Sequence, residues 1–184
     1  MRCRKSTAYT GQSRSHEALL EGETPICRSE LGSEGVCCDK QIMSVSIRPH
    51  HLLCMLTYLG KGYTPAFVDN YSAIVQRLND GEPVELVDGP DDLCQPMLSE
   101  PGCHCRNESV RHRDRTAVAD IAQALGRQLE SGKSFVLDRQ VLSLLREAFA
   151  MGTIRKACEG CEWQILCSKI ARNDFRGCHL APPD

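Results

Sequence analysis

At 184 residues the chain is long enough for one domain with a hydrophobic core and too short for two large ones. Hydrophobic residues at 41% and charged residues at 25% exclude a chain that is disordered throughout, and a net charge of −2 offers no basic footprint for nucleic acid or an anionic membrane. No apolar run approaches the length of a membrane span, and the basic N-terminus lacks the apolar segment of a secretory signal, so a cytoplasmic protein is expected.

Twelve cysteines in a chain that nothing directs to secretion point to metal ligation or redox chemistry rather than a disulfide scaffold. The first 42 residues are rich in Ser, Gly, Glu and Arg without apolar periodicity. They read as a disordered extension, with Met43 as an alternative start of the natural product. Cys3, Cys27, Cys37 and Cys38 are therefore set aside as ligands. Residues 43–184 are expected to form a single cysteine-rich helical metal-binding domain.

Pro49 opens a first helix, with Gly60 as its stop. Thr64 caps a second, whose apolar face is Phe67, Val68, Tyr71, Ile74, Val75 and Leu78, and Gly81 ends it. Val84 to Val87 suits a short strand. A long loop then runs from Asp88 to about Arg111, and a segment of that length needs something to order it. A bound metal would do so, and Asp91 and Asp92 suit capping rather than soft-metal ligation. Val118, Ile121, Leu125 and Leu129 mark a third helix ending near Gly132. Asp138 caps a fourth, with Val141, Leu142, Leu145 and Phe149 inward and Gly152 as its stop. Trp163, Leu166 and Ile170 mark the last. The fold class is mainly α: a small single-domain helical fold with a long cysteine-bearing loop and at most a short strand pair.

The sharpest chemical signal is Cys158-Glu-Gly-Cys161 followed by Cys167. Two thiolates two residues apart wrap one metal, and Gly160 permits the tight turn between them. A thiolate site wants four ligands, so a fourth must come from elsewhere. The long loop offers Cys94, Cys103 and Cys105, with His104 between the last two. Cys94 is the first choice. Only one Cys-x2-Cys knuckle is present where a structural zinc finger has two, and iron–sulfur proteins tolerate irregular spacing with one remote cysteine. The pattern favours an iron–sulfur cluster, with zinc as the alternative.

A third constellation is Arg48-Pro-His50-His51-Leu-Leu-Cys54. His50 and Cys54 share a helix face, a spacing that suits metal ligands or a Cys/His nucleophile pair. A capping histidine and a buried thiol explain it more simply, because the flanking leucines already demand burial. An enzyme using His50, His51 and Cys54, with Asp91 or Asp92 as acid or base, is the third functional reading, after a cluster protein and a zinc-stabilised interaction module. Gly60-Lys-Gly62 hints at a phosphate-binding turn without the full glycine pattern.

Ile47-Arg-Pro-His-His-Leu-Leu-Cys54, Gly60-Lys-Gly-Tyr-Thr-Pro65, Asp88-Gly-Pro-Asp-Asp-Leu-Cys94, Cys103-His-Cys105 and Ala157-Cys-Glu-Gly-Cys-Glu-Trp-Gln-Ile-Leu-Cys167 together resemble the prokaryotic family called domain of unknown function 1284. The resemblance runs from about Ile47 to beyond Cys167. It implies a small protein suspected of binding an iron–sulfur cluster, with an unknown redox or protein partner and no established activity. Some relatives carry a Cys-x2-Cys pair in the central loop. Here Met97 stands three after Cys94, and Cys103 and Cys105 are expected to compensate.

Overall fold

The computed structural model describes residues 9–10, 43–130 and 132–181. The chain divides into two units, Met1–Gly11 with Met43–Asp184, and Gln12–Ile42. The second unit, and with it nearly all of the extension expected to be disordered, lies outside the described residues.

Among the described residues the protein is mainly helical. The strands are β1 (Tyr9–Thr10), β2 (Val45–Ile47), β3 (Lys61–Gly62), β4 (Val84–Leu86) and β5 (Ser134–Phe135). The helices are α1 (Pro49–Met55), α2 (Pro65–Asn79), α3 (Glu108–Leu125), α4 (Arg139–Met151) and α5 (Gln164–Arg172), with 3-10 turns at Asp92–Met97 and Lys156–Cys158. The strand expected near Val84 is the centre of a small mixed sheet in the order β2-β4-β5, parallel to β2 and antiparallel to β5. β1 pairs antiparallel with β3. No described helix is long and apolar enough to cross a membrane.

Local chemistry explains the elements. Thr64 accepts a hydrogen bond from the Phe67 amide at 3.1 Å and so caps α2, while Asp138 does the same for Val141 at 2.8 Å on α4. Val45, Ile47, Val84 and Leu86 of the sheet, Phe67, Tyr71, Ile74, Val75 and Leu78 of α2, and Leu142, Leu145 and Phe149 of α4 meet in one core around the buried Leu52, Leu53 and Met55 of α1. Each such side chain contributes about 1.5–3 kcal/mol of burial.

Three expectations shift. α1 closes at Met55, five residues before Gly60. The glycine pair beyond it serves packing: β3 places Gly62 so close to Phe67 that an added Cβ would lie 2.6 Å from that ring. α3 begins at Glu108, ten residues before the first apolar marker, and ends at the left-handed Gly126 rather than near Gly132. Its buried stripe is Val110, Asp114, Ala117, Asp120 and Ile121, so two acids occupy inward positions where apolar periodicity fails.

The long loop is not structureless. Asp91 caps its 3-10 turn by accepting from the Cys94 amide at 3.0 Å. Asp92 accepts from the Ser46 amide at 3.1 Å, tying the same segment to β2.

Candidate metal centre

Two donor sets form where α1 meets the loop and the C-terminal elements. In α1, Pro49, Leu52, Leu53 and Met55 turn inward, and Cys54 is solvent-accessible. Its thiol is nevertheless surrounded by protein atoms. Burial pushes it well above its ordinary value, the charges of Cys161, Cys158 and Cys167 push it further, and Arg113 opposes them. Cys54 thus lies within electrostatic reach of all three C-terminal cysteines. The buried thiol expected there is instead accessible, because the leucines on either side occupy the core face.

The triplet is held by backbone geometry. The Cys161 amide donates to the Cys158 carbonyl at 3.1 Å, and Gly160 takes φ +68° in the turn between them. Arg113 of α3 donates to the Ala157 and Glu159 carbonyls at 2.9 and 3.2 Å, clamping that turn from outside. Cys167 sits in the first turn of α5, with its amide on the Trp163 carbonyl at 2.9 Å. The Thr57 hydroxyl, one turn beyond Cys54, reaches both the Cys54 carbonyl at 3.2 Å and Cys167 Sγ at 3.3 Å. Burial raises the Cys158 and Cys167 thiols, their thiol neighbours add to the rise, and Arg155 pulls both back. The Tyr71 hydroxyl is buried without a hydrogen-bond partner. Burial raises it, and the charges of Cys54 and Cys167 raise it further.

The second set surrounds Arg48, which is 0% exposed. Its Nε and Nη2 donate to Asp114 Oδ2 at 2.9 and 2.6 Å, and its Nη1 donates to the Cys105 carbonyl at 2.5 Å. Its backbone amide donates to Asp91 Oδ2 at 2.7 Å. The two histidines lie beside it with ring centroids 4.2 Å apart. His50 Nδ1 meets Asp114 Oδ1 at 2.5 Å and His51 Nδ1 meets Asp91 Oδ2 at 2.7 Å. Burial lowers His50 to about 4 in spite of Asp114, so its ring is neutral near pH 7. Burial alone would raise both carboxyls. The histidines and Arg48 outweigh it and hold Asp91 and Asp114 below the usual range.

A His51 ring nitrogen, an Asp91 oxygen and Cys94 Sγ all lie within 4.8 Å of one another, a geometry able to hold a metal ion. Cys94 is 2% exposed, its thiol raised by burial and by Asp91. Burial raises the Cys105 thiol, and Cys94 and Cys103 are its interacting neighbours.

Cys158, Cys161 and Cys167 thus lie within electrostatic reach of Cys54. Cys94 converges with His51 and Asp91, and Cys105 interacts with Cys94 and Cys103. His50 and Cys54, four residues apart, serve different sets. Arg48 and Asp114 escaped the sequence reading as site residues, although the 4-3-4 spacing of Val110, Asp114, Ala117 and Ile121 carried the signal. Tyr71 was legible only as a core residue, and nothing in the sequence singled out Thr57.

These features define a mainly helical protein with a candidate metal-binding site. The chain belongs to the family described as protein of unknown function DUF1284, whose pattern matches residues 62–167, more than half its length. That match begins after Cys54 and includes the loop cysteines and the C-terminal triplet. No curated protein and no solved structure matches the chain.

Proposed function

We propose that the protein binds an iron–sulfur cluster through Cys54, Cys158, Cys161 and Cys167 and works in electron transfer or redox sensing. The observation that carries this reading is Cys54, the accessible residue of α1, whose thiol feels the charges of all three C-terminal cysteines. Four thiolates are the donor set of a cubane or binuclear cluster and also of structural zinc.

The single Cys-x2-Cys knuckle with irregular spacing around it supports a cluster over structural zinc, which usually takes two knuckles.

The surroundings fit it as well. The orphaned Tyr71 hydroxyl, close enough to feel Cys54 and Cys167, is a donor in want of an acceptor. Thr57 already donates to Cys167 Sγ at 3.3 Å. Arg113 and Arg155 supply positive charge against the thiolates. When bound, a cluster would supply one-electron chemistry. The chain's own residues hold the four sulfurs, offer hydrogen bonds that set the potential, and leave Cys54 accessible for an electron to reach a partner.

The test is iron and acid-labile sulfide content, with a visible spectrum, on protein purified without oxygen. Matched iron and sulfide in the wild type, lost in Cys54→Ser and kept in Cys94→Ser, is the expected result. Full iron retention in Cys54→Ser would overturn the ligand set. Colourless protein with stoichiometric zinc that unfolds on chelation would replace the cluster with a structural zinc site.

A further inference from the structure

We propose a second, mononuclear centre for a divalent ion of the zinc class, held by His51, Asp91 and Cys94 with Cys105 as the fourth donor. It is independent of the four-cysteine site, and it fastens the long loop to α1.

Convergence is the first argument. The three donor atoms lie within 4.8 Å of one another. A tetrahedral ion with bonds of about 2.0–2.3 Å holds its ligands roughly 3.3–3.8 Å apart, so the set closes with side-chain adjustments alone. A cluster is too large for this space, and mixed nitrogen, oxygen and sulfur donors suit zinc-class ions. Cys105, whose thiol interacts with that of Cys94, is the fourth donor the proposal assigns.

Charge is the second. Around the fully buried Arg48 stand two carboxylates, Asp114 and Asp91, and one guanidinium. Asp114 neutralises Arg48 through two hydrogen bonds. His50 is paired with Asp114 rather than with Asp91. The Asp91 charge, in a side chain 0% exposed, is left with His51 and backbone amides. A buried carboxylate without a full countercharge is costly, and a dication beside it removes that cost. Asp91 Oδ1 accepts only from the Cys94 amide among the hydrogen bonds described, which leaves it a lone pair for a metal.

Access is the third. The His51 side chain is 20% exposed and opens the only flank of the triad that touches solvent, since Asp91 and Cys94 are both buried. On binding, the Cys94 and Cys105 thiols lose their protons to solvent and their sulfurs bind the ion, with no change of oxidation state.

The simpler role of Asp91 is to cap the 3-10 turn, and Asp91→Asn separates the two roles because asparagine caps as well as aspartate. The probe is cobalt(II), added to full-length Cys54→Ser/Cys158→Ser protein, whose other site has lost two ligands. The expected result is one equivalent bound with a cobalt–thiolate charge-transfer band. Cys94→Ser in that background should abolish the band, and His51→Gln or Asp91→Asn should weaken binding about tenfold or more. A folded double variant, judged by circular dichroism, that binds no cobalt would overturn the proposal. So would binding unchanged by both His51→Gln and Asp91→Asn. Iron and sulfide measured on wild-type protein report on the four-cysteine cluster separately, so the two readings fail independently.

Discussion

The Arg48 cluster and the four-thiol cluster sit on the same short helix and are built on opposite principles. Around Arg48 almost every polar atom is already satisfied: guanidinium on Asp114 and the Cys105 carbonyl, backbone amide on Asp91, each histidine on its own carboxylate. Around Cys54 the groups oppose one another. Three thiols raise a fourth, and a tyrosine hydroxyl is buried with nothing to bond. A self-satisfied network stabilises the empty fold, whereas an unsatisfied one is completed by what binds there. The first holds loop, α1 and α3 together by hydrogen bonds, with only the Asp91 charge left over for the proposed ion, and the second is the site proposed for a cluster.

Breaking the comparison is simplest by removing one member from each side in metal-free protein. Asp114→Ala strands a fully buried guanidinium and should cost about 3–5 kcal/mol in chemical denaturation. Cys54→Ser in the same state should lie within about 0.5 kcal/mol of wild type, because its side chain is accessible and unbonded. Equal losses would mean that the thiol cluster also supports the empty fold.

Acid should separate the two regions as well. His50 titrates at about 4 when folded and near its ordinary value of 6.5 when unfolded. Between those values the unfolded chain binds more protons, so stability falls as pH falls. The full difference is on the order of 3 kcal/mol, lost between about pH 6.5 and 4, and the depressed carboxyls of Asp91 and Asp114 extend the loss below that range. Urea unfolding at a series of pH values reads it directly, and His50→Gln should flatten the upper part of the curve.

Smaller effects sharpen the picture of the thiol side. Gly160 stands at φ +68° with open space around its missing side chain, so Gly160→Ala is strained by backbone alone. It should destabilise by about 1–2 kcal/mol, measured by thermal unfolding, and loosen iron binding. Tyr71→Phe removes the orphaned hydroxyl and should stabilise metal-free protein by about 1 kcal/mol. In cluster-loaded protein the same change should shift the midpoint potential to more negative values, measured by spectroelectrochemical titration.

Much of this was legible in the residues themselves. The caps Thr64 and Asp138, the apolar face of α2 and the Cys158–Cys167 spacing are local signals. Local signals survive because each depends on neighbours a few positions away. α3 was half-hidden because its inward stripe includes Asp114, an acid whose burial makes sense only once Arg48, 66 positions earlier, is seen to meet it. The loop looked structureless because its order comes from Asp91 and Asp92 reaching Arg48 and Ser46, which no local periodicity announces.

By itself the sequence determined that this is a helical, cysteine-rich member of its family, with a thiol triplet wrapped by a glycine turn. Tertiary structure alone decided the company each donor keeps. Cys54 and His51, three positions apart, share one face of α1, yet Cys54 feels the C-terminal thiols while His51 meets Asp91 and Cys94. Which remote partner meets each residue of that face is a matter of chain topology, and spacing along the sequence carries no record of it.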